Sequence, residues 1–345
     1  MNPTNTGSTP SESLRKAKSP GHSATEMSCQ ARRLEEQQTQ FHSLVTRDCH
    51  CGFSVFLDER SVGVRSDALT WLRSLPEKCI HAVVTDPPYG LVEYEDQHHA
   101  KMRRGRGGIW RIPPAFDGAQ RKPLPRFTVF TEEDTERLIS FFSDVAAELH
   151  RVLVPGGHIF LASNPLVSTL TFSTFIRAGF EKRGEIIRLV QTLRGGDRPK
   201  GAHEEFPDVT VMPRSCWEPW GLFRKQVEGT VAENLRNWGT GALRRKSENE
   251  PFKDVIACSP TRSPEREIAP HPSLKPQRFL RQIVRASLPL GCGIVLDPFA
   301  GSGSTLAAAS HLGYFSIGVE RDEQYFQMCC QAFDQLKRLT TSNGQ

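Results

Sequence analysis

One stretch near the carboxyl end, Val295-Leu-Asp-Pro-Phe-Ala-Gly-Ser-Gly-Ser-Thr305, limits the possible folds of this chain more than any other. Its apolar start reads as a buried strand ending at Asp297. A glycine-rich turn follows, and the alanine-rich segment after it reads as a helix. Ile317-Gly-Val-Glu320 then reads as the next strand, closing on a carboxylate. Strand, turn, helix, strand is the unit of a parallel sheet, whose neighbouring strands need a long crossover. Gly301 and Gly303 let the backbone pass close to a ligand. No lysine precedes Ser304 or Thr305, so this is not a Walker A loop. Leu306 stands where a GxGxxG fingerprint needs its third glycine. Phosphate binding is therefore not expected. An acid at the end of the following strand, here Glu320, can accept both hydroxyls of a ribose.

The rest of the chain keeps a compatible rhythm. Leu69, Trp71, Leu72 and Leu75 make Ser66–Leu75 a short amphipathic helix, and a buried strand follows at Ile80–Thr85. Thr131–Val154 reads as a helix with Thr131 as N-cap, acids in the first turn, and an apolar face of Leu138, Phe141, Phe142, Val145 and Leu149. Pro155-Gly156-Gly157 is expected to stop it before a strand at His158–Ala162. Further strands are expected at Glu185–Val190 and Trp220–Phe223. The expected fold is α/β, an open, doubly wound and mostly parallel sheet.

Two stretches break the rhythm. Residues 97–127 carry eight lysines and arginines (101, 103, 104, 106, 111, 121, 122 and 126) against one acid, Asp117. Residues 193–264 hold RGGDRPKGAHEEF and NLRNWGTGALRRK. Long irregular segments of this kind are functional loops or disorder. Residues 1–48 are polar and poor in aromatics, so a disordered tail is expected, with order starting near Phe53 and a second tail at 339–345. The first twenty residues lack the apolar core of a secretory signal, and no run of 18 apolar residues occurs. The nine cysteines have no framework spacing and no CxxC pair. An intracellular, cytoplasmic location with reduced thiols is expected. Cys49-His50-Cys51 lacks a second ligand pair, and no metal site is expected. The formal charge of +5 is compatible with a polyanionic partner.

Asp86-Pro-Pro-Tyr89 directly follows the apolar strand at 80–85. Pro87 and Pro88 stiffen the loop and remove two backbone donors. The Asp86 carboxylate and the Pro87 carbonyl are left as pure acceptors beside an aromatic ring. Two acceptors suit the two N–H donors of an amino group on a planar ring, on which Tyr89 can stack.

Taken together, the two motifs resemble those of the amino-methyltransferase family of DNA methyltransferases, which act on N6 of adenine or N4 of cytosine. That family carries D/N/S-PP-Y/F for the target amino group and a DPFxGxGT-like turn for S-adenosylmethionine. Here the catalytic motif comes first and the cofactor motif last, as in the permuted beta class. His271-Pro-Ser-Leu-Lys-Pro276 is similar to the HPTxKP stretch of that class, and Ser66-Asp67 stands where it has a GD-like turn. The resemblance covers residues from about 60 to 335. It implies a Rossmann-like fold with a catalytic half at 49–190 holding a basic loop at 93–130, an inserted target-recognition region at 191–262, and a cofactor half at 263–338. It assigns Asp86, Pro87, Pro88 and Tyr89 to the amino group. It assigns Asp297, Pro298, Phe299, Gly301, Gly303, Ser304, Thr305, Glu320, Asp67 and Lys275 to S-adenosylmethionine.

Double-stranded DNA is the implied substrate, with the base flipped out of the helix. A companion restriction endonuclease and a nucleoid-associated location are further expectations. Arg103, Arg104 and Arg106 of the basic loop are candidates for phosphates, and Arg194, Arg198, Arg236, Arg244 and Arg245 for DNA contacts including base edges. The family pairs DPPY mostly with N6 of adenine, so adenine is expected ahead of N4 of cytosine. No cysteine follows a proline, which argues against a 5-methylcytosine enzyme. Relatives acting on RNA bases or on protein glutamine usually carry NPPY after the cofactor motif, and this order is reversed here. A catalytically inactive DNA-binding protein of the same fold is the reading from another class.

Overall fold

The computed structural model describes residues 24–46, 52–89, 132–190, 198–199, 201–259, 261 and 263–340, with side chains from residue 31 onward. The basic loop with Arg103, Arg104 and Arg106, and Arg194, lie outside these residues, as do 1–23 and 341–345. In chain order the elements are α1 (Ala24–Val45), β1 (Phe53–Phe56), β2 (Ser61–Arg65), α2 (Ala68–Ser74) and β3 (Ile80–Thr85). Then come α3 (Glu132–Val152), β4 (Leu153–Ala162), α4 (Ser168–Arg177), β5 (Glu181–Leu189), β6 (Trp217–Arg224), α5 (Val231–Trp238) and β7 (Val255–Ala257). The chain continues through α6 (Ser263–Ile268), α7 (Gln277–Ser287), β8 (Ile294–Asp297), α8 (Ser304–His311), β9 (Phe315–Glu320) and α9 (Glu323–Arg338).

Among the described residues one sheet of nine strands forms, in the order β1-β2-β9-β8-β3-β4-β6-β5-β7. β2, β9, β8, β3 and β4 run parallel. β6 runs antiparallel between β4 and β5, and β1 pairs antiparallel with β2. Successive residues of β3 point to opposite faces, as the period of two requires. Val83 joins a core with Trp71, Leu72, Phe142 and Phe175 from α2, α3 and α4. Ala82 and Val84 join a second core with Phe279, Leu280 and Ile283 of α7 and Ala308 of α8. Helices thus cover both faces, and the expected doubly wound, mostly parallel sheet is what forms.

The structure corrects three expectations. Part of the expected N-terminal tail is helix α1: Phe41 and Leu44 are buried, and the Phe41 ring lies 5.0 Å from that of Phe315. A narrow apolar stripe is enough to dock an otherwise polar helix, and average composition hides it. Helix α3 ends at Val152, and β4 runs through Pro155-Gly156-Gly157 instead of starting after it. Its register with β3 jumps between Ile80 and Ala82, so the Pro-Gly-Gly segment is absorbed as a bulge. Gly156 has φ of +74°, and a Cβ there would sit 2.4 Å from Asn234 Nδ2. Finally, the inserted region at 191–262 supplies to the main sheet both β6, which contains the expected strand at Trp220–Phe223, and β7, which was not expected; Trp220 and Phe223 are fully buried.

Candidate active site at the carboxyl edge of the sheet

The five parallel strands end on one edge, and that edge collects the residues singled out from sequence. β3 ends at Thr85, next to Asp86; β8 ends at Asp297; β9 ends at Glu320. Asp86 and Asp297 are thus neighbours, because β3 and β8 pair directly. A side-chain bond ties them further: the buried Thr85 hydroxyl donates to Asp297 Oδ1 at 2.7 Å. Thr85 is therefore the pin between the two motifs, and its only sequence signal is a hydroxyl closing an apolar run.

Asp297 is 4% exposed and also accepts from the Phe299 N–H at 3.1 Å. Burial pushes its pKa up to about 6, against the opposing pull of the Thr305 and Thr85 hydroxyls and the Phe299 N–H. Pro298 is buried beside it, and Phe299 lies with its ring 5.9 Å from that of Phe141. Glu320 Oε2 accepts from the Gly301 N–H at 2.9 Å, and Oε1 from the Asp322 N–H at 2.8 Å. Burial raises its pKa as well.

The glycine turn is tighter than its sequence suggests. Gly301 has φ of +51° and Gly303 of +77°, where a side chain is strained. A Cβ on Gly303 would lie 2.4 Å from Cys329 Sγ of α9, and one on Gly301 would lie 3.1 Å from His271 Nε2. Both glycines therefore answer first to neighbouring protein atoms. Ser304, at the start of α8, has a buried Oγ without a partner. Gln277 Nε2 donates to the Ser304 carbonyl at 2.8 Å, while its own Oε1 is buried and unpaired.

At the other half of the crevice, Pro87 is buried, Pro88 exposed, and Tyr89 packs partly against the first core. Asp86 is held from both sides. Its Oδ1 accepts from the Tyr89 hydroxyl, and its Oδ2 is ion-paired with Lys275 Nζ, both side chains of that pair being largely buried. Lys275, assigned to the cofactor from its sequence motif, thus stands against Asp86. His271 from the same motif lies against Tyr325, ring centroids 4.4 Å apart, and burial lowers its pKa to about 4 despite the nearby Asp86 carboxylate. Asp67 reaches the same edge on the chain leaving β2, where its Oδ1 caps α2 by accepting from the Thr70 N–H at 2.9 Å.

The candidate DNA-contacting arginines divide. Arg198 is exposed. Arg236, Arg244 and Arg245 sit at the opposite, amino edge, away from the crevice. Arg244 donates to the Tyr314 hydroxyl, just before β9, at 2.8 Å. Arg245 Nε bonds the Glu248 carbonyl at 3.2 Å. Arg236 lines a cleft with Arg32, Arg33, Lys78 and His81, next to the start of β3. The amino edge takes these arginines because α5 and the loop after it pack below β4, where Asn234 bonds the Pro155 carbonyl at 3.0 Å.

Comparison with known proteins bears on the family and the fold. Residues 213–331 match the family model of N6/N4 methyltransferases, described as DNA methylase. Type II methyltransferase M.HindIII of Haemophilus influenzae is 24% identical over 287 residues, 76% of this chain and 92% of its own length. Type II methyltransferase M.BglII of Bacillus subtilis is 22% identical, across 77% of this chain and 66% of its own. Two solved structures share the fold. TTHA0409, a DNA modification methylase from Thermus thermophilus, has a TM-score of 0.50 at 21% identity, over 81% of this chain and 96% of that one. The cytosine-N4-specific PvuII DNA methyltransferase has a TM-score of 0.50 at 16% identity, over 83% and 88%.

Proposed function

With the chain a DNA methyltransferase of the N6/N4 amino-methyltransferase family, we propose that it transfers a methyl group from S-adenosylmethionine to N6 of a flipped adenine in double-stranded DNA. The observation that carries this reading is the joined pair of motifs: Asp86-Pro-Pro-Tyr89 and the turn from Asp297 end adjacent strands and are tied by the Thr85–Asp297 hydrogen bond. DPPY favours adenine over cytosine.

The residues present fit the cofactor. Glu320 stands where a ribose can be gripped, and Ser304 Oγ and Gln277 Oε1 are buried polar atoms still lacking a partner beside the turn. Three acids, Asp86, Asp297 and Glu320, share the crevice, which suits a cationic ligand. The cofactor supplies an electrophilic methyl group on its sulfonium.

The protein supplies orientation. An exocyclic amino nitrogen is a poor nucleophile because its lone pair is conjugated with the ring. Asp86 and the Pro87 carbonyl accept its two N–H groups, hold the nitrogen in line, and favour a more tetrahedral geometry. Tyr89 stacks on the ring, at roughly 1–3 kcal/mol per base by alanine substitution. Asp86 need not remove a proton beforehand, because a neutral aromatic amine is far too weak an acid. The proton leaves once the nitrogen carries the methyl and a positive charge. No covalent intermediate is required. Basic loop residues 101–126 hold the phosphates.

Long-read sequencing of DNA from cells expressing this gene tests the proposal. A modified adenine in a fixed sequence context is expected. Unmodified DNA would reject the function, and modified cytosine would reject the choice of base.

A further inference from the structure

Asp86 and Lys275 form a partly buried ion pair at the mouth of the amino-group site. A carboxylate is an acceptor and an ammonium a donor, so the pair presents acceptor and donor side by side. In adenine the exocyclic N–H donor is attached to C6, and the ring acceptor N1 is bonded to the same carbon. Cytosine repeats the pattern with its amino group on C4 and N3 as ring acceptor. Each base thus shows a donor–acceptor edge whose complement is an acceptor–donor pair.

Resting on the methyltransferase reading above, we propose that Lys275 is a base-contacting residue: its ammonium donates to the ring nitrogen beside the target amino group while Asp86 accepts from the amino group. Three features of the structure support this. An ammonium has three N–H donors, and one bond to Asp86 Oδ2 leaves two for a ligand. Its backbone is held on both sides: the Leu274 carbonyl accepts from the buried Thr261 hydroxyl, and the Gln277 N–H donates to Glu265 Oε1 at 2.8 Å. Pro276 stiffens the link between them and serves as N-cap of α7. The lysine head is therefore placed before any ligand arrives, as a contact residue needs.

The test is a cycle crossing a protein change with a base change. The duplex carries the methylated base either intact or with the ring nitrogen replaced by C–H: 1-deazaadenine, or 3-deazacytosine if cytosine is the base. A 7-deazaadenine duplex controls for the other edge of adenine. Single-turnover rate and duplex affinity are measured for the wild type, Lys275→Met and Lys275→Arg. One hydrogen bond from a charged donor predicts a loss of roughly 10-fold or more for the wild type on the deaza duplex. Lys275→Met should show a similar loss on the intact duplex and little further loss on the deaza duplex. Lys275→Arg, which keeps a cationic donor, should recover part of it. Losses that multiply independently would overturn the contact, as would a wild type indifferent to the 1-deaza change. The wild-type comparison stands even if Lys275→Met fails to fold. A wild type that methylates no duplex at all would overturn the function as well, which separates the two failures.

Discussion

The two edges of the sheet use charge in opposite ways. At the amino edge, cations bond backbone carbonyls: Arg33 reaches the carbonyls of Leu235 and Arg236 at the end of α5, and Arg60 that of Gly313. Arg151 likewise takes the carbonyls of Leu72 and Leu75, and Lys225 those of His150 and Leu153. These bonds satisfy helix ends and loop carbonyls, and their product is a rigid base. At the carboxyl edge, carboxylates accept from hydroxyls, N–H groups and one lysine, and burial pushes the pKa of Asp297 and Glu320 upward. The lesson is that an arginine in a basic-looking stretch is as much a carbonyl cap as a DNA contact. Only its position on the sheet tells which.

Substitutions confined to one edge separate the two roles. The largest effect on stability is expected at the amino edge. Phe41→Ala removes a fully buried ring and should cost about 3–5 kcal/mol in chemical denaturation, while activity per folded molecule stays near normal. At the carboxyl edge, Asp86→Ala leaves the largely buried Lys275 without its carboxylate and should lower the melting temperature, while the folded variant still binds the cofactor. Methylation should fall by roughly 100-fold or more, the lower range for losing one catalytic group. Near-normal turnover in that variant would remove the proposed site.

Glu320→Ala should weaken cofactor binding by roughly 1.5–3 kcal/mol, read by calorimetry, with loss of a charge-assisted acceptor. A smaller effect follows from the pKa of Asp297, raised to about 6 by burial. Protonation of this acid below that pH removes negative charge next to a cationic ligand. Cofactor affinity should therefore be flat above pH 7 and fall as pH drops through 6, by at most about tenfold per unit for one proton. Affinity that strengthens on acidification would contradict the placement of Asp297. The smallest effect belongs to the amino edge again. Arg236→Ala should change DNA affinity little, because the residue faces away from the crevice, and a large loss in filter binding would put DNA on that edge too.

Much of this was legible from sequence. Asp86-Pro-Pro-Tyr89 and the turn at 297–305 reach the same edge because strand ends and glycine turns are local features, written in consecutive residues. What sequence left unread depends on distant partners. Gly303 reads as room for a ligand, yet the atom nearest a Cβ there is Cys329 Sγ, from another helix. Lys275 reads as a cofactor residue, yet it pairs with Asp86, 189 positions away. Helix α1 was hidden because Phe41 and Leu44 are outnumbered by polar neighbours. Residue type alone likewise does not say which edge of the sheet Arg236, Arg244 and Arg245 join.

Methylation of an exocyclic amino group in the crevice between β3 and β8 can be read directly. The most direct test incubates the purified protein with duplex DNA and S-adenosylmethionine carrying a deuterated methyl group. The DNA is then digested to nucleosides for mass spectrometry, with Asp86→Ala run in parallel. Labelled N6-methyladenine is expected from the wild type and essentially none from the variant. Labelled N4-methylcytosine would correct the base and leave the mechanism standing; labelled 5-methylcytosine, or label from Asp86→Ala equal to wild type, would contradict it.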